Sequence, residues 1–241
     1  MKSKIVVALM IGLMCVGVIS ARELKVSIAQ MPGYAESTEK GVLVDFAKAL
    51  ASASGSTLNM VVVPFKRSMD NVINKEVDFH MPLIQNPLDD ESKLPYSHST
   101  ATIFHVNFVL YSNKDKALDI SSLKGKTVET DAAHVQYFDF GPIPSTSIEG
   151  SLKKVDAGRI DGFVFADFAS DPVVKAQNLN NIKRTLYRRY DVKIILPKGG
   201  TNGETDKLIS DAIKKMTADG SFVRIMGPID TAYNNWQPGS N

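Results

Sequence analysis

LKVSIAQMPGYAESTEKGVLVDFAKALASASGSTLNMVVVPFKRSMDNVINKEVDFHM, residues 24–81, decides the fold. Leu24–Gln30 alternates apolar and polar side chains and predicts a strand. Met31-Pro32-Gly33-Tyr34 predicts a turn. Val42, Phe46, Ala49, Leu50 and Ala53 recur at helical spacing, so a helix is expected over Val42–Ser54, stopped by Gly55. Leu58–Val63 is rich in β-formers and ends at Pro64. Arg67–Asn74 predicts a short helix with Met69, Val72 and Ile73 inward, and Val77–Met81 a third strand. A β-α-β-α-β order implies a parallel sheet covered by helices, an α/β fold.

Working outward, Gln85–Tyr96 is polar and proline-containing, hence loop, and Ile103–Tyr111 is the longest strand candidate. The α/β theme then repeats. Lys126–Thr130 predicts a strand and Ala132–Phe138 a helix. Thr146 and Glu149 have capping-box spacing before a helix over Leu152–Val155, with Gly158 as its stop. Ile160–Phe165 predicts a buried strand, and Asp171-Pro172 an N-cap and first-turn pair for the next helix. Tyr190–Leu196 is another long strand. Asp206–Ala218 carries Ile209, Ala212, Ile213 and Met216 on one face, with Gly220 beyond it and Thr201 and Glu204 at capping-box spacing before it. Two α/β units are thus bracketed by two long apolar strands. Such strands fit a double hinge between lobes, and they fit one continuous sheet equally well.

The 241 residues suffice for one large domain or two small lobes. The N-terminus has the three-part pattern of a secretory signal peptide over residues 1–21: basic Lys2 and Lys4, an uncharged apolar run Ile5–Ile19, and small Ser20-Ala21 before Arg22. The run is short for a membrane span, which needs about 20 residues. Cys15, the single cysteine, lies inside that run behind Met14, where lipid attachment requires a small residue, so it reads as part of the removed peptide. An exported chain without a lipid anchor points to the periplasm of a two-membrane bacterium. Net charge is +2 for the whole chain and near zero without Lys2 and Lys4. No basic stripe with interleaved aromatics occurs, which argues against a nucleic-acid partner.

The order of segments resembles the periplasmic solute-binding proteins of the polar amino-acid type, solute-binding family 3. The resemblance is carried by GVLVDFAKALASASG (41–55), VVVPFKRSMDNVINKEVDF (61–79), SLKGKTVET (122–130), SLKKVDAGRIDGFVFAD (151–167) and LISDAIKKMTADGSFVRIM (208–226). It implies a two-lobed type II periplasmic-binding fold, with residues 22–108 and 195–241 as lobe one and 109–194 as lobe two. It also implies a crossing near Phe108–Ser112, a return near Ile194–Pro197, and hinge closure on a ligand in the cleft. The implied role is a monomeric receptor that delivers a small polar solute, amino-acid-like or amine, to an inner-membrane ABC-type permease. A membrane sensor is the alternative docking partner.

Ligands of parallel α/β sheets sit beyond the carboxyl ends of strands, which selects Tyr34, Phe65, Arg67, Pro82 and Leu83, then Asp131, His134, Asp167 and Phe168. Tyr34 and Phe65 suit aromatic walls or packing on their own lobe. Arg67 suits a fork onto a carboxylate or phosphate, or a brace to Asp70 or Asp78. Asp131 suits the ligand or an N-cap, and His134 the ligand or solvent. Asp167 matches the family's acidic residue for a ligand ammonium, or caps a turn. The family's carboxylate-clamping arginine before the first hinge strand is missing from SHSTATIFHVNF (97–108), and Asp131 stands where small hydroxyl residues are usual. Both departures favour an amine or a neutral solute over an α-amino acid.

Enzymatic chemistry finds little support. His80, His98, His105 and His134 form no close metal pair, no G-x-S-x-G elbow occurs, and the glycine-rich 198–203 lacks a phosphate-loop Lys-Ser/Thr. No cofactor is expected. The fold also resembles periplasmic cyclohexadienyl dehydratases, but such a site needs a positioned general acid and cations for two carboxylates, and the cleft arginine is missing.

Overall fold

The computed structural model describes residues 21–239. The expected leader lies outside these residues except for Ala21, and so does Cys15. The first half opens with β1 (Glu23–Ala29), α1 (Val42–Ser54), β2 (Thr57–Val63), α2 (Phe65–Ile73) and β3 (Phe79–Ile84). The helical spacing of 42–54 was legible because one face of α1 is fully buried, and Gly55 closes it in the left-handed conformation at φ 70°. α2 starts two residues earlier than its apolar spacing indicates, because Pro64 sets its entrance. Only Ser68 and Val72 of α2 are fully buried, with Met69 and Ile73 half-buried.

Next come β4 (Tyr96–Asn113), β5 (Val128–Asp131), β6 (Ile143–Ser145), α3 (Ile148–Asp156), β7 (Gly162–Ala166), α4 (Asp167–Ala176), β8 (Ile182–Pro197), α5 (Glu204–Ala218) and α6 (Ser221–Met226). Several expected starts move. The α3 cap is Ser147, whose hydroxyl accepts from the Gly150 amide, rather than Thr146. α4 begins at Asp167, directly off β7, so Asp171 and Pro172 lie inside it; Pro172 there leaves the Phe168 carbonyl without its helical donor. Ala132–Tyr137 is a short 3-10 helix rather than an α-helix. α5 is entered through Gly203, while the Thr201 hydroxyl donates to the His98 carbonyl. Asp206, almost fully buried, accepts from the Asn202 and Thr100 amides and so ties that loop to β4.

One eight-stranded sheet runs through the molecule in the order β2-β1-β3-β8-β4-β7-β5-β6. The three strands at either end are mutually parallel, and β8 and β4 join the two sets through antiparallel ladders. The continuous sheet and the pair of crossing strands are therefore the same object. β4 and β8, at 18 and 16 residues, are about three times an ordinary strand, long enough to serve both ends. Their pairing slips between Phe108 and Val109, where one extra β8 residue, Tyr187, is accommodated. Side chains before this bulge join the larger core; after it Val109 and Tyr111 join the smaller one, while Leu110 stays with the larger. β8 pairs with β3 at Val192, Lys193 and Ile195.

The larger core packs α1, α5 and α6 on the sheet, with Phe46 edge-on against Phe222 at 6.0 Å, and continues through Leu110, Val128, Phe138 and Val164 into the second half. The smaller core gathers Val109, Tyr111, Leu152, Val155, Phe163 and Val174 beneath α3 and α4. The last segment returns across the hinge. Asp230 binds His105 (3.0 Å) and Arg189 (2.5 Å), and the Thr231 carbonyl accepts from Asn107. Tyr233 and Trp236 then cover the smaller core. Among the described residues no helix is long and apolar enough to cross a membrane.

Candidate functional site

A cavity of about 470 Å3 lies between the two parallel-strand halves, within the roughly 300–1,000 Å3 usual for small-molecule sites. The first half contributes Tyr34, Phe65, Pro82 and Leu83, the crossing strand β4 contributes Phe104, Val106 and Phe108, and the second half contributes His134, Tyr137, Phe165 and Phe168.

Local sequence explains each placement. Tyr34 sits in a tight turn closed by the Met31–Ala35 bridge, with Gly33 at φ 76°. Its carbonyl accepts from the Leu43 amide, and a side chain on Gly41 would stand 2.3 Å from that oxygen, so only glycine fits there. Phe65 leaves Pro64 at the head of α2 and packs edge-on against buried His80, 5.6 Å between centroids. Phe168 follows the end of β7. Phe65 and Phe168 remain 43% and 51% exposed, unusual for phenylalanine and informative because they stand on opposite halves of the cavity mouth.

His134 is the one imidazole in the lining. Its Nδ1 lies 3.0 Å from Asp131 Oδ1, and the same carboxylate oxygen accepts from the Ala133 amide as an N-cap. The ring nests among Phe165 (5.1 Å), Tyr137 (5.3 Å) and Phe108 (5.7 Å). Two hydrogen bonds span the cleft: the Tyr137 hydroxyl donates to the Ile84 carbonyl (3.2 Å) and the Asn86 amide to the Gln136 carbonyl (3.1 Å). Tyr34 and Phe168 also meet across it at 6.0 Å.

The structure brings Tyr34, Phe65, Pro82 and His134 together around the cavity, with Leu83 and Phe168. Arg67, Asp131 and Asp167 are not in its lining. Arg67 lies on the exposed face of α2, and neither expected brace forms, because Asp70 pairs with Lys66 and Asp78 with Arg22. Asp131 is occupied as cap and histidine partner. Asp167 is half-buried and accepts from Asn107 at 3.1 Å. Asn107 alternates with Val106 and Phe108 along β4 and so points to the other face. Burial raises the Asp167 pKa, opposed by the Asn107 bond. The Tyr34 hydroxyl pKa is also raised, by burial first and the Asp167 charge second.

The lining therefore differs from the polar site expected. No Lys, Arg, Asp or Glu is among its residues. Nearby cations of β8 are committed elsewhere: Arg184 to Asp171 (2.6 Å), Arg189 to Asp230, Lys193 to the Thr100 carbonyl (3.2 Å), and Arg188 over the Tyr190 ring. Phe104, Phe108, Tyr137 and Phe165 were missed as site residues, since each reads simply as an apolar strand or helix position. The Phe104-Val106-Phe108 alternation was the available signal. Among the described residues no group of three His, Cys, Asp or Glu is arranged to hold a metal.

No protein-family model matches the chain, and no curated protein matches it. Solved structures do. The ligand-binding core of GluR0 from Nostoc punctiforme, in complex with L-glutamate, aligns with a TM-score of 0.60 at 18% identity, covering 86% of this chain and 100% of that one. A histidine kinase sensor domain with similarity to periplasmic binding proteins aligns at 0.61 and 15% identity, covering 86% and 96%. The probable amino-acid ABC transporter extracellular-binding protein YtmK from Bacillus subtilis aligns at 0.59 and 17% identity, covering 88% and 99%. At such identities the likeness establishes the fold.

Proposed function

We propose that this chain, which has the two-lobed type II periplasmic-binding fold, is an exported solute receptor. It closes on a small molecule between its lobes and presents the closed form to an inner-membrane ABC-type importer. The observation that carries this reading is the cavity between two α/β halves that β4 and β8 join. The proposed lobes are residues 22–108 and 195–241 against 109–194, with the segment after Asp230 crossing back to strap the second. The pattern of residues 1–21 supports export to the periplasm. Tyr34, Phe65, Pro82 and His134 are proposed ligand contacts, and binding rather than catalysis is the proposed activity. The likeness to a kinase sensor domain supports a second reading, in which the same clamp docks on a membrane sensor.

A thermal-shift screen tests the receptor reading. The protein is unfolded and refolded to strip carried-over solute, then exposed to amino acids, amines, carboxylates, sugars, nucleosides and small aromatics. A true ligand at about 100 times its dissociation constant adds about 2.7 kcal/mol and raises the melting temperature visibly. A library in which no compound raises it contradicts the reading.

A further inference from the structure

Resting on that receptor reading, we propose that the cavity takes an uncharged, flat aromatic molecule bearing one hydroxyl or N–H group, and that it rejects amino-acid zwitterions. The walls are rings: Tyr34, Phe65, Phe104, Phe108, Phe165 and Phe168 line the cavity from both halves and from β4. Ring faces and edges offer offset and T-shaped packing to another ring. They offer nothing to a carboxylate, which is costly to bury without a cation or hydrogen-bond donors. Arg67 lies on the exposed face of α2, outside the lining, and a cation drawn from β8 would have to leave an existing partner. Arg184 is fully buried on Asp171, Arg189 is on Asp230 and Lys193 is on the Thr100 carbonyl.

The polar atoms of the lining narrow the ligand further. The Tyr137 hydroxyl is engaged by the Ile84 carbonyl and the Gln136 amide by the Ala133 carbonyl. The Tyr34 hydroxyl makes no hydrogen bond among the described residues and stays protonated, its pKa raised by burial. His134 gives Nδ1 to Asp131, which leaves Nε2 to meet the ligand. The Tyr34 hydroxyl, which can donate or accept, and His134 Nε2 match a single hydroxyl or N–H. No Asp or Glu lines the cavity to neutralise an ammonium, whose burial unpaired is costly.

The test is calorimetric titration of the refolded protein with p-cresol, indole, toluene, phenethyltrimethylammonium, 3-phenylpropionate and L-phenylalanine. The expected result is that p-cresol or indole binds at least ten-fold more tightly than each charged or zwitterionic probe. Tyr34→Phe is expected to weaken p-cresol roughly 2–12-fold, the range for one net hydrogen bond, and to weaken toluene less. Phe168→Ala should weaken both. Equal or tighter binding of any charged or zwitterionic probe overturns the ligand class. The neutral rings failing while another solute of the wider screen binds also overturns the ligand class, and leaves the receptor reading standing. Failure of every solute overturns both.

Discussion

Removing the Asp171 carboxylate isolates what holds the second half and the C-terminal segment together. Arg184 is fully buried, and its Nε and Nη2 donate to the two Asp171 oxygens at 2.8 and 2.6 Å. The Tyr111 hydroxyl donates to the same carboxylate at 2.7 Å. The rings of Trp236 and Tyr233 cover the guanidinium at 4.9 and 5.2 Å, and the Trp236 and Asn234 carbonyls take Nη1. Asp171→Ala leaves a buried guanidinium with only carbonyl partners. Breaking a buried pair costs about 3–5 kcal/mol, and the orphaned Tyr111 hydroxyl adds about 1 kcal/mol. The remaining carbonyls and rings offset part of this, so about 3–4 kcal/mol is expected. Against a total stability of about 5–15 kcal/mol the protein still folds, with its melting point lower by roughly 6–16 °C. Urea unfolding of wild type and variant reads the difference directly. A loss below about 1 kcal/mol would refute the reasoning, because it would mean that the charge is not desolvated as its burial indicates. Replacing both partners, Asp171→Leu with Arg184→Met, should recover much of the loss.

Three further outcomes follow from the same geometry. His80 is buried beside Ser68 (2.6 Å), and burial lowers its pKa from 6.5 to about 3. The unfolded chain binds this proton at higher pH than the folded one, so stability falls as pH drops from about 6.5 towards 3, by up to about 1.4 kcal/mol per pH unit. Chemical unfolding at stepped pH should show a shallower acid slope for His80→Asn than for wild type, and equal slopes would contradict the assignment. Gly41→Ala combines a φ of 136° with a clash on the Tyr34 carbonyl; it should cost about 1–3 kcal/mol and weaken solute binding, read by unfolding and titration. Asn86→Ala removes one of two hydrogen bonds across the cleft. It should weaken whichever solute the screen identifies roughly 2–12-fold, chiefly through faster release in stopped-flow measurements.

The first half of the fold was legible because its signals are local. The period of α1 and its glycine stop, and the β-rich run before Pro64, need no long-range information. Boundaries set by tertiary contact were not legible. α4 starts at Asp167 because β7 delivers the chain there, although Asp171-Pro172 carries the stronger local signal. The ends of β4 and β8 belong to strands only through their mutual ladder, so Tyr96–Thr102 and Ile182–Arg189 fall outside the expected strands Ile103–Tyr111 and Tyr190–Leu196. The site divides in the same way. Strand-end logic selected Tyr34, Phe65, Pro82 and His134, which line the cavity. It also selected Asp167, which stands outside the lining because adjacency to a strand end does not fix which face a side chain takes, and Asn107 holds this carboxylate. The inner wall of Phe104, Phe108 and Phe165 was invisible as a site because a strand side chain facing a cavity has the same pattern as one facing a core.

The central claim is that a small molecule is held between the two halves. A crystal structure of the refolded protein grown with the strongest ligand of the thermal-shift screen tests it most directly. The expected result is that molecule between Tyr34 and Phe65 on one side and His134, Phe165 and Phe168 on the other, against Phe104 and Phe108 of β4. A ligand seated elsewhere, with the cavity filled by solvent, would contradict it.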